Sequence, residues 1–282
     1  LEVAFLLYYG RLSPSAAFLA DILECGHRTQ FGQRQANASL FDTDAHAKCR
    51  CIRDLLLFLA IECLNLEAAL DVVPEGIAAP DDAALAPLAT DPDALERCLV
   101  QLEKAASDVA YAPLLLSFAL VLRRLDEVGS HTPLEPRLAA TLDVVDHGPQ
   151  IWRRLLQGAF DPSMQLFDTL HSLVTSPLLR TATRALGASN LSALAYRAVF
   201  KGLLLTITEL VQPEYLPDLD PLVDLWCLTF RAMPGDVPDG IAALCTQFWT
   251  QDIQYPTRAS LLDTVRRRFP ASFLPLVRLA HA

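Results

Sequence analysis

What this chain has little of narrows its chemistry first. Glycine is scarce, at 11 of 282 residues, and none cluster after a strand-like segment, so a Gly-rich phosphate cradle has nothing to be built from. Long hydrophobic runs are missing as well. The longest nearly apolar stretch, Tyr111 to Leu122, falls short of the roughly 20 residues that a membrane-spanning helix needs. Alternation of the strand kind never persists. Positive charge is in deficit, with 23 Lys and Arg against 33 Asp and Glu and a formal charge of -10, which argues against direct binding to nucleic acid. The one basic run, Arg266-Arg267-Arg268, reads as a solvated helix end.

Motifs with a mechanism are equally sparse. Cys49-Arg50-Cys51 resembles half a metal site, but residues two apart on a helix point to different faces, and no second pair completes four ligands. His27, His46, His131, His147, His171 and His281 are isolated, with no His-Glu-x-x-His spacing. A nucleophile elbow of the Gly-x-Ser-x-Gly type is absent, and it would need a strand to sit on. Asp81-Asp82 lies in an acidic loop where solvation is the default. Neither catalytic, cofactor nor metal residues can be nominated, and an enzymatic reading has no positive support. Reviving one would take a cluster of perturbed titratable groups. The 7 cysteines, an odd number, sit mostly in apolar helical stretches, the pattern of reduced buried thiols in an intracellular protein. Asn37-Ala38-Ser39 fits a glycosylation sequon, but that thiol content argues against the secretory route.

What the chain has is proline used as punctuation. Ser13-Pro14, Asp91-Pro92, Asp161-Pro162, Ser176-Pro177 and Asp220-Pro221 each precede an amphipathic, helix-sized segment. The Ser or Asp can cap orphan amides, and proline in the first turn loses no hydrogen bond it needed. Apolar periodicity predicts helices at 1–9, 14–25 (stopped by Gly26), 42–66, 92–106, 111–128, 134–145, 149–159, 162–175, 177–186, 191–211, 221–232, 238–250, 258–269 and 273–280. The 42–66 helix is expected to face the core with Ile52, Leu55, Leu56, Leu59 and Cys63. Between them lie a polar loop at 27–40 and a Pro/Ala/Asp-rich connection at 68–90. The domain reading is therefore helical repeats over 1–67, a connection over 68–90 and helical repeats over 91–282, forming one continuous array.

The fold class is all-α. Short connections favour antiparallel neighbours, and pairs recurring at about 30 to 45 residues suit stacked HEAT/ARM-like repeats, an α-solenoid. A content of 52% hydrophobic residues and a mean hydropathy of +0.28 suit helices covered on more than one face. Phe167, Tyr196, Phe200, Trp226, Phe230, Phe248, Trp249 and Phe269 lie on largely apolar segments; core packing is the default for them, with grooves between helices the other use. Leu1 opens within a helical pattern and Ala282 closes just after one, so both ends are expected to be cuts through a longer protein. The segments 1–9 and 273–280 would then pack against further helices.

Three tracts carry a family likeness. They are Glu2-Val-Ala-Phe-Leu-Leu-Tyr-Tyr-Gly-Arg-Leu12 with Phe31-Gly-Gln-Arg-Gln-Ala-Asn37 and Leu40-Phe41-Asp42; Tyr111-Ala-Pro-Leu-Leu-Leu-Ser-Phe-Ala-Leu-Val121; and Tyr196-Arg-Ala-Val-Phe-Lys-Gly-Leu-Leu204. Together they resemble the middle part of the large inner-ring scaffold nucleoporins of the nuclear pore complex, the 188-kilodalton branch more than the 192/205 branch. Ser117-Phe118 departs from that pattern, which has a tryptophan there. The resemblance implies a fragment of a karyopherin-like α-solenoid at the nuclear pore of the nuclear envelope. It implies no enzymatic activity, no cofactor, and no catalytic residues to carry over. The partners implied are other scaffold nucleoporins, with Phe-Gly repeats as a second class. A rival expectation is a karyopherin-like transport receptor or adaptor solenoid that takes peptide cargo.

Overall fold

The computed structural model describes residues 4–5, 15–29, 42–71, 91–104, 108–131, 151–179, 190–232, 238–254 and 260–281. Among these, every regular element is helical and no strand occurs, so the all-α class holds. The helices predicted at 1–9 (apart from residues 4–5) and at 134–145 lie outside the described residues. So do residues 180–186 of the 177–186 helix, and most of the 27–40 loop and the 68–90 connection. No described helix is long and apolar enough to cross a membrane.

Contacts divide the chain into two compact units, Leu1–Leu166 and Phe167–Ala282. The first contains α1 (Ala16–Thr29), α2 (Thr43–Glu62), α3 (Leu66–Asp71), α4 (Pro92–Lys104), α5 (Ala112–His131) and α6 (Ile151–Ala159). Helix α5 explains its assembly. Its apolar run has no polar side, and every residue from Tyr111 to Leu122 is buried. Such a helix must be covered all round, and α2, α3 and α6 pack against it. Ser117, buried within it, donates its hydroxyl to the Pro113 carbonyl at 2.7 Å and so leaves no polar group bare. Across the 68–90 tract, α4 packs on α1, so helices from both sides of that tract share one unit.

The second unit contains α7 (Leu166–Val174, beginning at the boundary), α8 (Asn190–Leu210), α9 (Asp220–Phe230), α10 (Pro238–Gln254), α11 (Leu261–Arg268) and α12 (Leu274–His281). Here α8 is central, burying Tyr196, Phe200, Leu203, Leu204 and Ile207 and touching α9, α10 and the 3-10 turn Pro177–Leu179. A Cβ on Gly240 would stand 2.7 Å from Leu194 Cδ1, so the missing side chain lets α10 approach α8. Between α9 and α10 the rings of Trp226, Phe230, Phe248 and Trp249 form one cluster, with centroids 5.1 to 6.1 Å apart in tilted and edge-on pairs.

The punctuation works partly as expected. Asp91 Oδ1 accepts the Ala94 amide at 3.0 Å and starts α4. Asp161 Oδ1 accepts the Ser163 amide at 2.8 Å, but it starts only the 3-10 turn Pro162–Met164. Gln165 then turns left-handed, at φ 47 and ψ 45, so the 162–175 helix is broken and resumes at Leu166. The 42–66 helix is likewise interrupted. It ends at Glu62, Asn65 adopts φ 46, and α3 restarts at Leu66. At 220–221 the expected cap moves: Asp220 is itself the first helical residue, and Asp218 Oδ1 accepts its amide at 2.9 Å. Gly26 does not stop α1, which continues to Thr29 with Gly26 buried inside it.

Ile52 is a further correction, being 41% exposed. Only the C-terminal half of α2 enters the core, where Leu56, Leu57, Phe58, Leu59, Ala60 and Ile61 are all buried, while its first turns stay at the surface. The predicted stripe extended one turn too far toward solvent.

Candidate functional site: the corner formed by α11 and α12

Among the described residues no three His, Cys, Asp or Glu approach as a metal cluster would require. His27, His46, His171 and His281 are exposed on separate helices. Cys49 is half-buried and Cys51 buried, as two faces of one helix. No disulfide joins the cysteines described, and Cys51, Cys63 and Cys98 are buried free thiols.

One cluster of displaced titratable groups lies at the α2–α3 break. Burial, with the Glu67 charge nearby, pushes the Glu62 carboxyl up to about 8. Burial, with Glu62 beside it, pushes the Cys63 thiol up to about 12. Both shifts favour the neutral forms, so Cys63 stays a thiol near neutral pH and is not an activated nucleophile. The arrangement is that of a half-buried acid held toward its neutral form, not of a nucleophile with its base.

Buried cations escaped the sequence reading, and they prove to be structural. Arg124 on α5 donates through Nε to the Ala69 carbonyl and through Nη2 to the Leu70 carbonyl, each at 3.3 Å. Its Nη1 meets Glu127 Oε2 at 3.0 Å. In the second unit, Arg197 on α8 donates Nη1 to the Thr229 carbonyl, with Leu228 and Arg231 carbonyls at 3.4 and 3.3 Å. Each unit thus uses an arginine from its central helix to satisfy the last carbonyls of a neighbour, where the helix dipole also favours positive charge. Lys201, also buried, reaches Gln247 Oε1 at 3.1 Å and ties α8 to α10. Trp152 is held similarly, donating Nε1 to Asp126 Oδ2 at 3.1 Å beneath the guanidinium groups of Arg123 and Arg153.

The aromatic residues now sort themselves. Tyr196, Phe200, Trp226 and Phe248 are buried; Phe167, Phe230 and Trp249 are half-buried. Phe269 is different, 51% exposed in the α11–α12 turn. It pairs at 6.5 Å with Phe273, which is 60% exposed and which the sequence reading had not singled out among the aromatics. Leu274 at 44% and Val277 at 42% extend the same exposed group. The available signal was the spacing of Phe273, Val277 and Ala280, one stripe of a helix. Nothing in that spacing says whether the stripe faces in or out.

Helix α12 is anchored by its other side. Pro275 is buried, Arg278 pairs with Asp224 on α9, and α12 packs on α9 and α11. Arg268 donates to the Pro217 carbonyl at 2.9 Å, which fixes the end of α11. The apolar stripe is therefore presented outward from a fastened helix. Arg266 and Arg267 stand exposed at the end of α11. Arg266 reaches Asp263 only at 3.8 Å with both groups in solvent, and Arg267 has no ion pair among the described residues. The two helices thus expose apolar side chains on α12 and two arginines at the end of α11.

No protein-family model matches this chain, and no curated protein does.

Proposed function

We propose that the chain is a helical interaction scaffold, built from stacked antiparallel pairs of the α-solenoid kind. In this reading it serves as a structural nucleoporin of the nuclear pore inner ring, supporting pore assembly and nucleocytoplasmic transport through contacts with other scaffold nucleoporins. The observation that carries the interaction part is the outward stripe Phe273–Leu274–Val277 on a helix anchored from behind. The pore assignment rests on the three resembling tracts. Two of them, Tyr111–Val121 and Tyr196–Leu204, run along the central helices α5 and α8, so the likeness supports a common way of packing. Of the first tract, only Ala4 and Phe5 lie among the described residues.

A second reading, a transport-receptor or adaptor solenoid taking peptide cargo, is favoured by the exposed Phe269–Phe273 pair. One experiment separates the two. The chain is immobilised, exposed to nuclear-envelope extract and analysed by mass spectrometry, beside beads carrying Phe-Gly repeats. Inner-ring components recovered from the extract support the scaffold; Phe-Gly retention adds a receptor-like surface. Cytosolic cargo without any pore component rejects the nucleoporin assignment.

A further inference from the structure

Glu62 is the last residue of α2, half-buried, in a final turn that holds no basic residue. The free carbonyls at that end carry the negative pole of the helix, so an ionised carboxyl is disfavoured there by position. Glu67 stands across the break, in the first turn of α3, and adds a like charge. Among the described residues no cation pairs with Glu62. The charges on the helices packed against α2 and α3 are placed otherwise. On α1, Asp21 pairs with Arg97, while Glu24, His27 and Arg28 are exposed. On α5, Arg123 and Arg124 pair with Glu127, and Asp126 accepts from Trp152. The raised value of the Glu62 carboxyl, about 8 through burial and Glu67, agrees with this placement.

The backbone beside this carboxyl is a joint. The Glu62 carbonyl accepts the Asn65 amide at 2.9 Å, exposed Asn65 takes φ 46, and its own carbonyl accepts the Ala69 amide at 3.0 Å. One left-handed residue thus connects the 20-residue α2 to the 6-residue α3. A helix that short does not persist by itself. It is held from outside, by the burial of Leu66, Ala69 and Leu70 and by Arg124, whose bonds to its last carbonyls are both 3.3 Å long.

We propose that the α2–α3 break is a pH-sensitive joint: with its proton Glu62 lets α3 close onto α5, and without it α3 is released while α1, α2 and α5 stay folded. Release lets the carboxylates of Glu62 and Glu67 separate and hydrate. The closed form keeps a proton that the open form, with an ordinary carboxyl near 4.5, gives up. Opening therefore grows as pH rises and levels off above about 8. A single proton makes the growth about tenfold per pH unit in between. The open form is a fluctuation of the folded chain, which amide exchange detects.

Hydrogen–deuterium exchange of the whole chain tests the joint, read by mass spectrometry on peptides covering residues 64–70 and divided by the intrinsic exchange rate at each pH. From about pH 6 to about pH 7.5 the protection of that segment should fall about thirtyfold, while peptides from α1 and α5 keep theirs. Glu62→Gln removes the titrating group at nearly unchanged size, and the segment should then stay equally protected across the range. Glu67→Gln removes the like charge and should leave the segment better protected than wild type at about pH 7.5. Circular dichroism confirms that both variants are helical. The joint is refuted if residues 64–70 keep constant protection in the wild type, or lose it to the same degree in Glu62→Gln. A loss shared by α1 and α5 overturns it too, because ionisation would then weaken the whole unit rather than release α3.

Discussion

Arg197 is the sharpest test of how the second unit is held together. The residue is 3% exposed, and its guanidinium reaches three carbonyls at the end of α9. The bond to Thr229 is a full charge-assisted one, worth about 1.5–3 kcal/mol, while the two near 3.4 Å are long and add about 0.5 kcal/mol each. Against this stands the cost of burying the charge, which disappears when the arginine does. For Arg197→Met the loss of donors wins, because the Thr229 carbonyl stays buried under a side chain that cannot serve it, while the carbonyls of Leu228 and Arg231 are only partly covered. The expected loss is about 2–3 kcal/mol of unfolding free energy. Arg197→Lys should recover part of it, since an ammonium keeps the charge but not the fork that spans several carbonyls. Urea unfolding followed by tryptophan fluorescence measures both, with Trp226 and Trp249 in the same unit as reporters. A Met variant within about 0.5 kcal/mol of wild type would refute the capping argument.

Other outcomes follow from the same structure. Glu62 has its folded value raised from 4.5 to about 8, so the native state holds a proton that the unfolded chain has released. Stability is then lost progressively as pH rises from about 4.5 to about 8 and levels off above that. Glu62→Gln should flatten that decline and be the more stable protein at pH above 8, as urea melts across the range will show. Gln165→Gly relieves a left-handed residue at an exposed site, and thermal unfolding should show a gain of about 0.5–1 kcal/mol. Cys63 and Cys98, each pushed up to about 12 by burial, should resist iodoacetamide in the native protein and react on unfolding, as peptide mass mapping at mild alkaline pH will record. Rapid native alkylation of either would contradict their burial.

Much of the helical pattern was legible because its causes are local. A proline after Asp91 sets the first turn and the Asp91 carboxylate caps it, an interaction spanning three residues. The apolar run at 111–122 announced a core helix, since no arrangement short of full burial removes so much apolar surface from water. The break at Gln165 was not legible, because a glutamine at positive φ is something neighbours can enforce but propensity does not suggest. The break at Asn65 left a local signal, since asparagine enters that region more readily than other non-glycine residues. Ile52 failed for a related reason: the same turn of α2 buries Cys51 and Asp54 instead, so packing takes a side of the helix that the apolar spacing did not mark.

The candidate site shows the same division. Sequence by itself determined that α12 is amphipathic, because spacing alone places Phe273, Val277 and Ala280 on one stripe. It determined equally that the only basic run of an acidic chain precedes that stripe. Which way the stripe faces was decided by packing: α9 and α11 take the opposite side, with Arg278 held by Asp224. Tertiary structure likewise made Arg124 and Arg197 buried caps, because the carbonyls they serve lie 31 to 55 residues away in sequence. Periodicity reports contacts within a turn or two of helix; orientation and long-range hydrogen bonding belong to whichever helices meet.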